Sequence, residues 1–357
     1  MSKFVYLFGA GASYGKRDSN NDIIEGLPIV DEFSAQIQRF MSKIITESPS
    51  QRNFLSRLRN PDKAEVDIDH IDENEYRELI DELDWLKLKS ESHKTIDTYA
   101  KKLFITNDKD YDRLKNILSA YLTLEQLYNK PDLRYDAFWA TLFGRNINQL
   151  PEDISIFSWN YDCQFELSYS NYLNDGKSID NIWEALNITC KSKRVNNSVV
   201  SNKGFSITKL NGSALMINSK KTLLDPFFDK GKASFLKYVS QFYVANEYKS
   251  DLKNILSFAW DETDEDYWNK IHERSIDTEI LVIIGYSFPY FNRNIDRKII
   301  QNMINLKKVY IQDPYCEDVK ESFEATLSDL QLYEVEKGEL KIVLKKNTKQ
   351  FLIPNEM

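Results

Sequence analysis

The sequence predicts an α/β protein, a parallel sheet flanked by helices with helical modules inserted into it, and three observations carry that expectation. The apolar run Phe4-Val5-Tyr6-Leu7-Phe8 passes directly into Gly9-Ala10-Gly11-Ala12-Ser13-Tyr14-Gly15, a strand entering a glycine-rich turn. A second run, Ile280-Leu281-Val282-Ile283-Ile284, is continuously apolar and rich in β-branched residues, the pattern of a strand covered on both faces and hence central in a parallel sheet. The remaining strand candidates alternate with stretches of helical spacing, and each ends in small or polar residues, where an open parallel sheet places its ligand contacts.

At the first junction the glycines let the backbone bend tightly, and a helix N-terminus following them would aim N–H groups at a phosphate. Any strand turning through small residues into a helix would read the same way. A dinucleotide fingerprint has the form G-x-G-x-x-G, and here Tyr14 holds the place of the third glycine, with Gly15 one position late. A polar loop, residues 16 to 25, then leads through Gly26-Leu27-Pro28 into a helix carrying Val30, Phe33, Ile37 and Phe40.

Residues 41–130 are charged and helix-forming, with almost no glycine, and read as a helical insertion. The acidic run between Asp67 and Asp84 alternates with Arg77, Leu79 and Ile80, as on the solvated face of an amphipathic helix. A helix at 136–142 precedes the strand Ile154-Ser155-Ile156-Phe157-Ser158, which ends in Trp159-Asn160-Tyr161-Asp162. The strand 205–210 ends in Asn211-Gly212-Ser213. A second helical stretch, 220–275, carries Phe235, Tyr238, Phe242, Tyr243, Phe258, Trp260, Tyr267 and Trp268, which read as core or subunit-contact residues rather than a base-stacking platform. The strand 280–284 runs into Gly285-Tyr286-Ser287-Phe288-Pro289, and, after a helix at 294–306, the strand 308–311 ends in Gln312-Asp313-Pro314. An acid at a strand end is placed to accept hydrogen bonds from a ribose. Residues 331–357 hold one more strand candidate, 340–344, and a polar end.

Composition limits what such a fold can do. The 357 residues carry 47 basic against 55 acidic side chains, a net charge of −8, which argues against a general nucleic-acid or anionic-membrane surface. No run approaches the roughly 20 apolar residues of a membrane helix, and no secretion signal opens the chain, so the expectation is a soluble, cytoplasmic protein. Cys163, Cys190 and Cys316 lie too far apart for a C-x-x-C zinc site, and His70, His93 and His272 show no metal-ligand spacing.

Four strand ends thus recur in a fixed order: Gly9-Ala10-Gly11-Ala12-Ser13, Asn160-Tyr161-Asp162, Lys209-Leu210-Asn211-Gly212-Ser213 and Gly285-Tyr286-Ser287-Phe288-Pro289. In this order and spacing they resemble the sirtuin superfamily, specifically the sirtuin-like domains of bacterial anti-phage defence proteins, which consume NAD rather than deacetylate lysine. The resemblance spans residues 3 to about 316 and implies a Rossmann-like domain made of 1–40 plus 131–330, with NAD across the C-terminal strand ends as substrate, no cofactor and no zinc. By position it gives Gly9, Ala10, Gly11, Ala12 and Ser13 to the pyrophosphate and puts Pro28 on a mobile loop over the nicotinamide ribose. It gives Asn160 to that ribose, Asp162 to the carboxamide, Gly285 and Ser287 to the adenosine half, and places Asp313 near the adenine ribose. Asn160 and Asn211 would then be the catalytic pair.

The residue types suit the chemistry. Breaking the bond from nicotinamide to ribose develops positive charge on the sugar, which nearby carboxylate and amide oxygens stabilise more in the transition state than in the ground state. The family's Lys-Leu-His-Gly-Ser element supplies a histidine base, whereas this chain has Asn211, whose amide takes up no proton at neutral pH. Three readings follow: hydrolysis without the base, an impaired or engineered form, or a module that binds NAD or ADP-ribose without turnover to regulate a partner. The missing zinc cysteines count against peptide deacylation. An ordinary dehydrogenase would need a second strand ending in an acid about 20 residues past the glycines, where the sequence instead gives a Gly-Leu-Pro loop. Because unrestrained NAD cleavage would kill the host, the reading further implies control by assembly: a homo-oligomer with a separately encoded partner, such as a HerA-type ATPase or a nucleotide-processing enzyme.

Overall fold

The computed structural model describes residues 3–46, 73–147, 149–174, 178–192, 201, 204–217 and 253–357. Its strands are β1 (Phe4–Phe8), β2 (Lys16–Arg17), β3 (Ile23–Glu25), β4 (Ile154–Ser158), β5 (Ile188–Cys190), β6 (Ser206–Lys209), β7 (Gly212–Ile217), β8 (Lys253–Leu256), β9 (Ile280–Ile284), β10 (Lys308–Gln312) and β11 (Lys341–Lys345). The helices are α1 (Phe33–Thr46), α2 (Glu73–Glu91), α3 (Ile96–Thr106), α4 (Asp108–Tyr128), α5 (Leu133–Leu142), α6 (Gln164–Ser170), α7 (Ile179–Ala185), α8 (Glu265–Ser275), α9 (Arg293–Gln301), α10 (Cys316–Glu324) and α11 (Asp329–Lys337).

Seven strands form one sheet in the order β11-β10-β9-β1-β4-β6-β5, every pairing parallel. The chain starts at β1 in the middle, lays β4 beside it, β5 at the edge and β6 between those two on one side, and returns to build β9 to β11 on the other. The strand order therefore reverses at β1, the switch point beside which open parallel sheets bind ligands. Side chains alternate across the sheet. Val5, Leu7, Phe157, Leu281 and Ile283 pack on one face with Ile271, Ile295, Ile299 and Phe323 from α8 to α10. Phe4, Tyr6, Phe8, Ile156 and Val282 pack on the other with Tyr135, Phe138 and Trp139 of α5 and Phe165 of α6.

The described part of the insertion beyond α1, residues 73–130, is mainly helical, as its composition predicts, and has a core of Leu79, Leu83, Leu86, Leu103, Leu114 and Tyr121. Asp67 to Asp72 lie outside the described residues, while Leu79, Leu83 and Leu86 form one buried stripe of α2, the amphipathic pattern expected there. The boundary shifts in one respect. Phe33, Ile37 and Phe40 of α1 pack into the insertion's core and not onto the sheet, so α1 belongs with the helices that follow it.

Two further elements differ from the sequence reading. Residues 16–25 form a short antiparallel hairpin, β2 with β3, instead of an open polar loop. In the second helical stretch only Glu265–Ser275 is a described helix; Lys253–Leu256 is a strand paired antiparallel with β7, because Ile255 and Leu256 reach buried clusters from opposite sides of the ribbon. Phe235, Tyr238, Phe242 and Tyr243 lie outside the described residues, whereas Phe258 and Tyr267 are core residues. The C-terminal strand joins the main sheet at its edge, and the chain beyond it is tied in by Phe351, which packs edge-on against Phe8 and Tyr135. Among the described residues no helix is long and apolar enough to cross a membrane.

Candidate functional site

Parallel strands share one C-terminal edge, and the register aligns their ends. Phe8 lies opposite Ser158 and Ile284, Ser158 opposite Lys209, and Ile284 opposite Gln312. The residues just past these ends line up as Asp313, Gly285, Gly9, Trp159 and Leu210, and Asn160 and Asn211 stand one position beyond the last two, so the row runs Asp313, Gly285, Gly9, Asn160, Asn211. Four strand spacings of about 4.8 Å span roughly 19 Å from end to end. The four motifs read from the sequence therefore meet on one edge, centred on the switch strand.

The glycine turn does something other than the sequence suggests. A four-residue 3-10 helix, Ala10–Ser13, follows β1 in place of a longer helix. The Gly9 and Gly11 amides donate to Ile284 O (3.0 Å) and Gly285 O (2.9 Å), and the Ala12 amide donates to Gly9 O (2.9 Å). These three amides are spent on holding the turn itself. What requires the glycines is close packing of two turns: a Cβ on Gly9 would stand 2.6 Å from Gly285 O, and one on Gly285, whose φ is +58°, would stand 2.4 Å from the Ala12 nitrogen. Arg134 caps the turn from below, donating to Gly11 O (3.2 Å) and Ala12 O (3.0 Å) while paired with Asp132 (2.6 Å).

Side chains take over towards Asn160. Ser13 Oγ, buried, accepts a hydrogen bond from Asn160 Nδ2 (3.0 Å) and shares one with Tyr135 OH (2.9 Å). The Asp162 carboxylate lies near the same hydroxyl, which favours its charged form, and its Oδ1 accepts from the Gln164 amide (3.1 Å). Burial pushes the Asp162 carboxyl above its ordinary value, and the nearby Lys209 ammonium opposes that rise. With its nitrogen spent on Ser13, the Asn160 amide is fixed with its oxygen turned away from that contact.

Lys209 lies beneath this network, where it donates to Asp162 O and pairs with Glu166 (2.9 Å), both side chains being almost fully buried. Burial alone would lower the Lys209 pKa, but Glu166 holds it above its usual value. Asn211 follows at the end of β6. Its Nδ2 donates to Trp159 O (3.2 Å), which leaves the amide oxygen buried without a hydrogen-bond partner. An orphaned acceptor of this kind costs about 1–3 kcal/mol and is satisfied when a ligand brings a donor.

No model of a known protein family matches the chain, and no curated protein matches it.

The remaining sequence-assigned residues sit at the ends and rim of the row. Ser287 is exposed beside Gly285. Asp313 is half-buried with its carboxyl raised by burial, and its Oδ1 accepts from the Tyr315 amide (2.8 Å), so one oxygen caps the entry to α10. Pro28 is half-buried in a loop that is extensively pinned. Arg17 pairs with Glu32, donates to Leu27 O (2.9 Å) and stacks on Tyr14 (4.2 Å), and the Leu27 amide donates to Ser13 O (2.7 Å). Gly15 serves this hairpin: φ is +64°, and a Cβ would meet Glu25 O at 2.2 Å.

Arg134, Tyr135 and Lys209 escaped assignment as site-forming groups. The signal available for the first two was Asp132, an N-cap residue that places α5 beside the glycine turn. Tyr161 also escaped, because it turns away from its neighbours and donates to Asp97 Oδ1 (3.0 Å) on α3, joining the helical insertion to the row.

Proposed function

We propose that the chain binds NAD along the row of strand ends and hydrolyses the nicotinamide–ribose bond to give nicotinamide and ADP-ribose. The observation that carries this reading is the meeting of four separate sequence motifs on one edge of a parallel sheet, at the strand where the order reverses. Asn160, oriented by Ser13, presents an amide oxygen for a ribose hydroxyl. Asn211 presents a second, unpartnered one. Both can stabilise the developing charge on the sugar and orient water, and neither can take up its proton. Turnover by the isolated chain is therefore slow. Following the resemblance, the physiological setting is an effector subunit of a bacterial anti-phage system, a homo-oligomer switched on by a separately encoded partner.

A second reading, a module that holds NAD or ADP-ribose without cleaving it, is favoured by one observation: the position matching the family's base is an amide. Nicotinamide release by the purified chain and by Asn211→His separates the two. Hydrolysis predicts slow release, raised about 10²–10⁴-fold by the histidine. Binding without release in both proteins supports the second reading, and neither binding nor release removes both.

A further inference from the structure

Asp296, on α9, is 1% exposed and belongs to none of the motifs above. Its Oδ1 accepts from the Trp159 indole nitrogen (3.0 Å) and its Oδ2 from the Tyr286 hydroxyl (2.8 Å), which Asn292 Nδ2 also contacts (3.1 Å). Trp159 immediately precedes Asn160 and carries the carbonyl that fixes Asn211. Tyr286 lies between Gly285 and Ser287. The two rings stack, with centroids 6.0 Å apart and planes at 14°. One carboxylate thus joins the turn after β4 to the turn after β9, passing beneath the glycine turn that lies between them.

We propose that Asp296 is the positioning residue of the row: by holding Trp159 and Tyr286 together it sets the spacing between the asparagine end and the Gly285 end of the NAD site. Both rings belong to the same apolar core cluster, and Asn292, the other polar group at the Tyr286 hydroxyl, donates to it and so does not serve as their common acceptor. The link to NAD rests on the reading above; the link between the turns does not.

Amide hydrogen exchange tests the second claim directly. The Trp159 amide donates to Phe8 O and the Gly285 amide to Gln312 O, so both report the fixed turns. Asp296→Ala is expected to speed exchange at least tenfold in both turns while leaving β11 unchanged, and Asp296→Asn, which keeps the shape and one acceptor, to do so less. Faster exchange in one turn only, or in neither, overturns the proposal, and Asp296→Asn decides it should the alanine variant fail to fold. NAD titration of the same proteins is expected to show affinity at least tenfold weaker in Asp296→Ala. If both turns loosen and NAD affinity is unchanged, Asp296 does not position the site. If the wild-type chain takes up no NAD, the NAD reading fails while exchange still decides the cross-link.

Discussion

The two halves of the strand-end row are built by different means. Around Gly9, Gly11 and Gly285 most contacts run from backbone to backbone, four amides are engaged, and a methyl added at Gly9 or Gly285 would collide with backbone. Around Asn160 and Asn211 the contacts start from side chains, Asn160 to Ser13 and through it to Tyr135, and Asn211 to Trp159 O, and one buried amide oxygen is left over. The comparison teaches that the glycine-rich turn, the most conspicuous feature of the sequence, is a joint, and that the buried side-chain acceptor left without a partner lies in the asparagine half.

Breaking the joint should have the largest effect. Gly285→Ala combines a left-handed φ with a backbone clash and is expected to cost about 2–5 kcal/mol of stability. Gly338→Ala, with φ +76° but open space around it, should cost only about 1 kcal/mol. Urea denaturation midpoints measure both, and equal losses would show that packing of the two turns contributes nothing. Ser13→Val removes the hydroxyl shared by Asn160 and Tyr135 and is expected to cost about 1–3 kcal/mol, read in the same way.

A pH series sharpens the role of buried charge beneath the row. Burial pushes the Asp296 carboxyl up to about 7, against the hydrogen bonds from Tyr286 and Trp159. A carboxyl raised in the folded state binds its proton more tightly there than in the unfolded chain. Its contribution to stability is therefore full below its ordinary value of 3.8 and is lost as pH rises to about 7. Glu125, in the helical insertion, is likewise raised by burial to about 7 and adds a loss of the same sign. Asp296→Asn should gain stability relative to wild type between pH 4 and 7, and a constant difference across that window would contradict the assignment. The smallest effect on folding is expected from Asn211→Leu, within about 1 kcal/mol, since it removes an orphaned acceptor along with one donor. The same change should weaken NAD binding about tenfold, a divergence between stability and binding that the glycine substitutions do not show.

Much of this architecture was legible in the sequence for a simple reason. A strand buried on both faces, such as 280–284, has no polar residue to blur its limits, and its end falls where the apolar run stops. The hairpin after the glycine turn was illegible because its two short strands are held by Arg17 reaching Glu32 and Leu27 O, contacts with no periodic trace. β8 was missed because Ile255 and Leu256, read among helical neighbours, owe their strand to pairing with β7. At the site, Asn160, Asn211 and Gly285 stand at strand ends as the apolar runs indicate, while the close packing of Gly9 on Gly285 has no trace in the spacing, which reveals that a backbone must come close and not what it comes close to. Arg134, Tyr135 and Asp296 act across long separations in the chain, and only the fold brings them to the row.

The central claim is that NAD lies along this edge with its reacting sugar at the asparagine half. Calorimetric titration of the purified chain with NAD, beside Asn160→Ala and Asn211→Leu, tests it most directly. The account predicts saturable binding by the wild-type chain and affinity about tenfold weaker or worse in each variant. Absence of binding by the wild-type chain, or equal affinity in all three proteins, would contradict it.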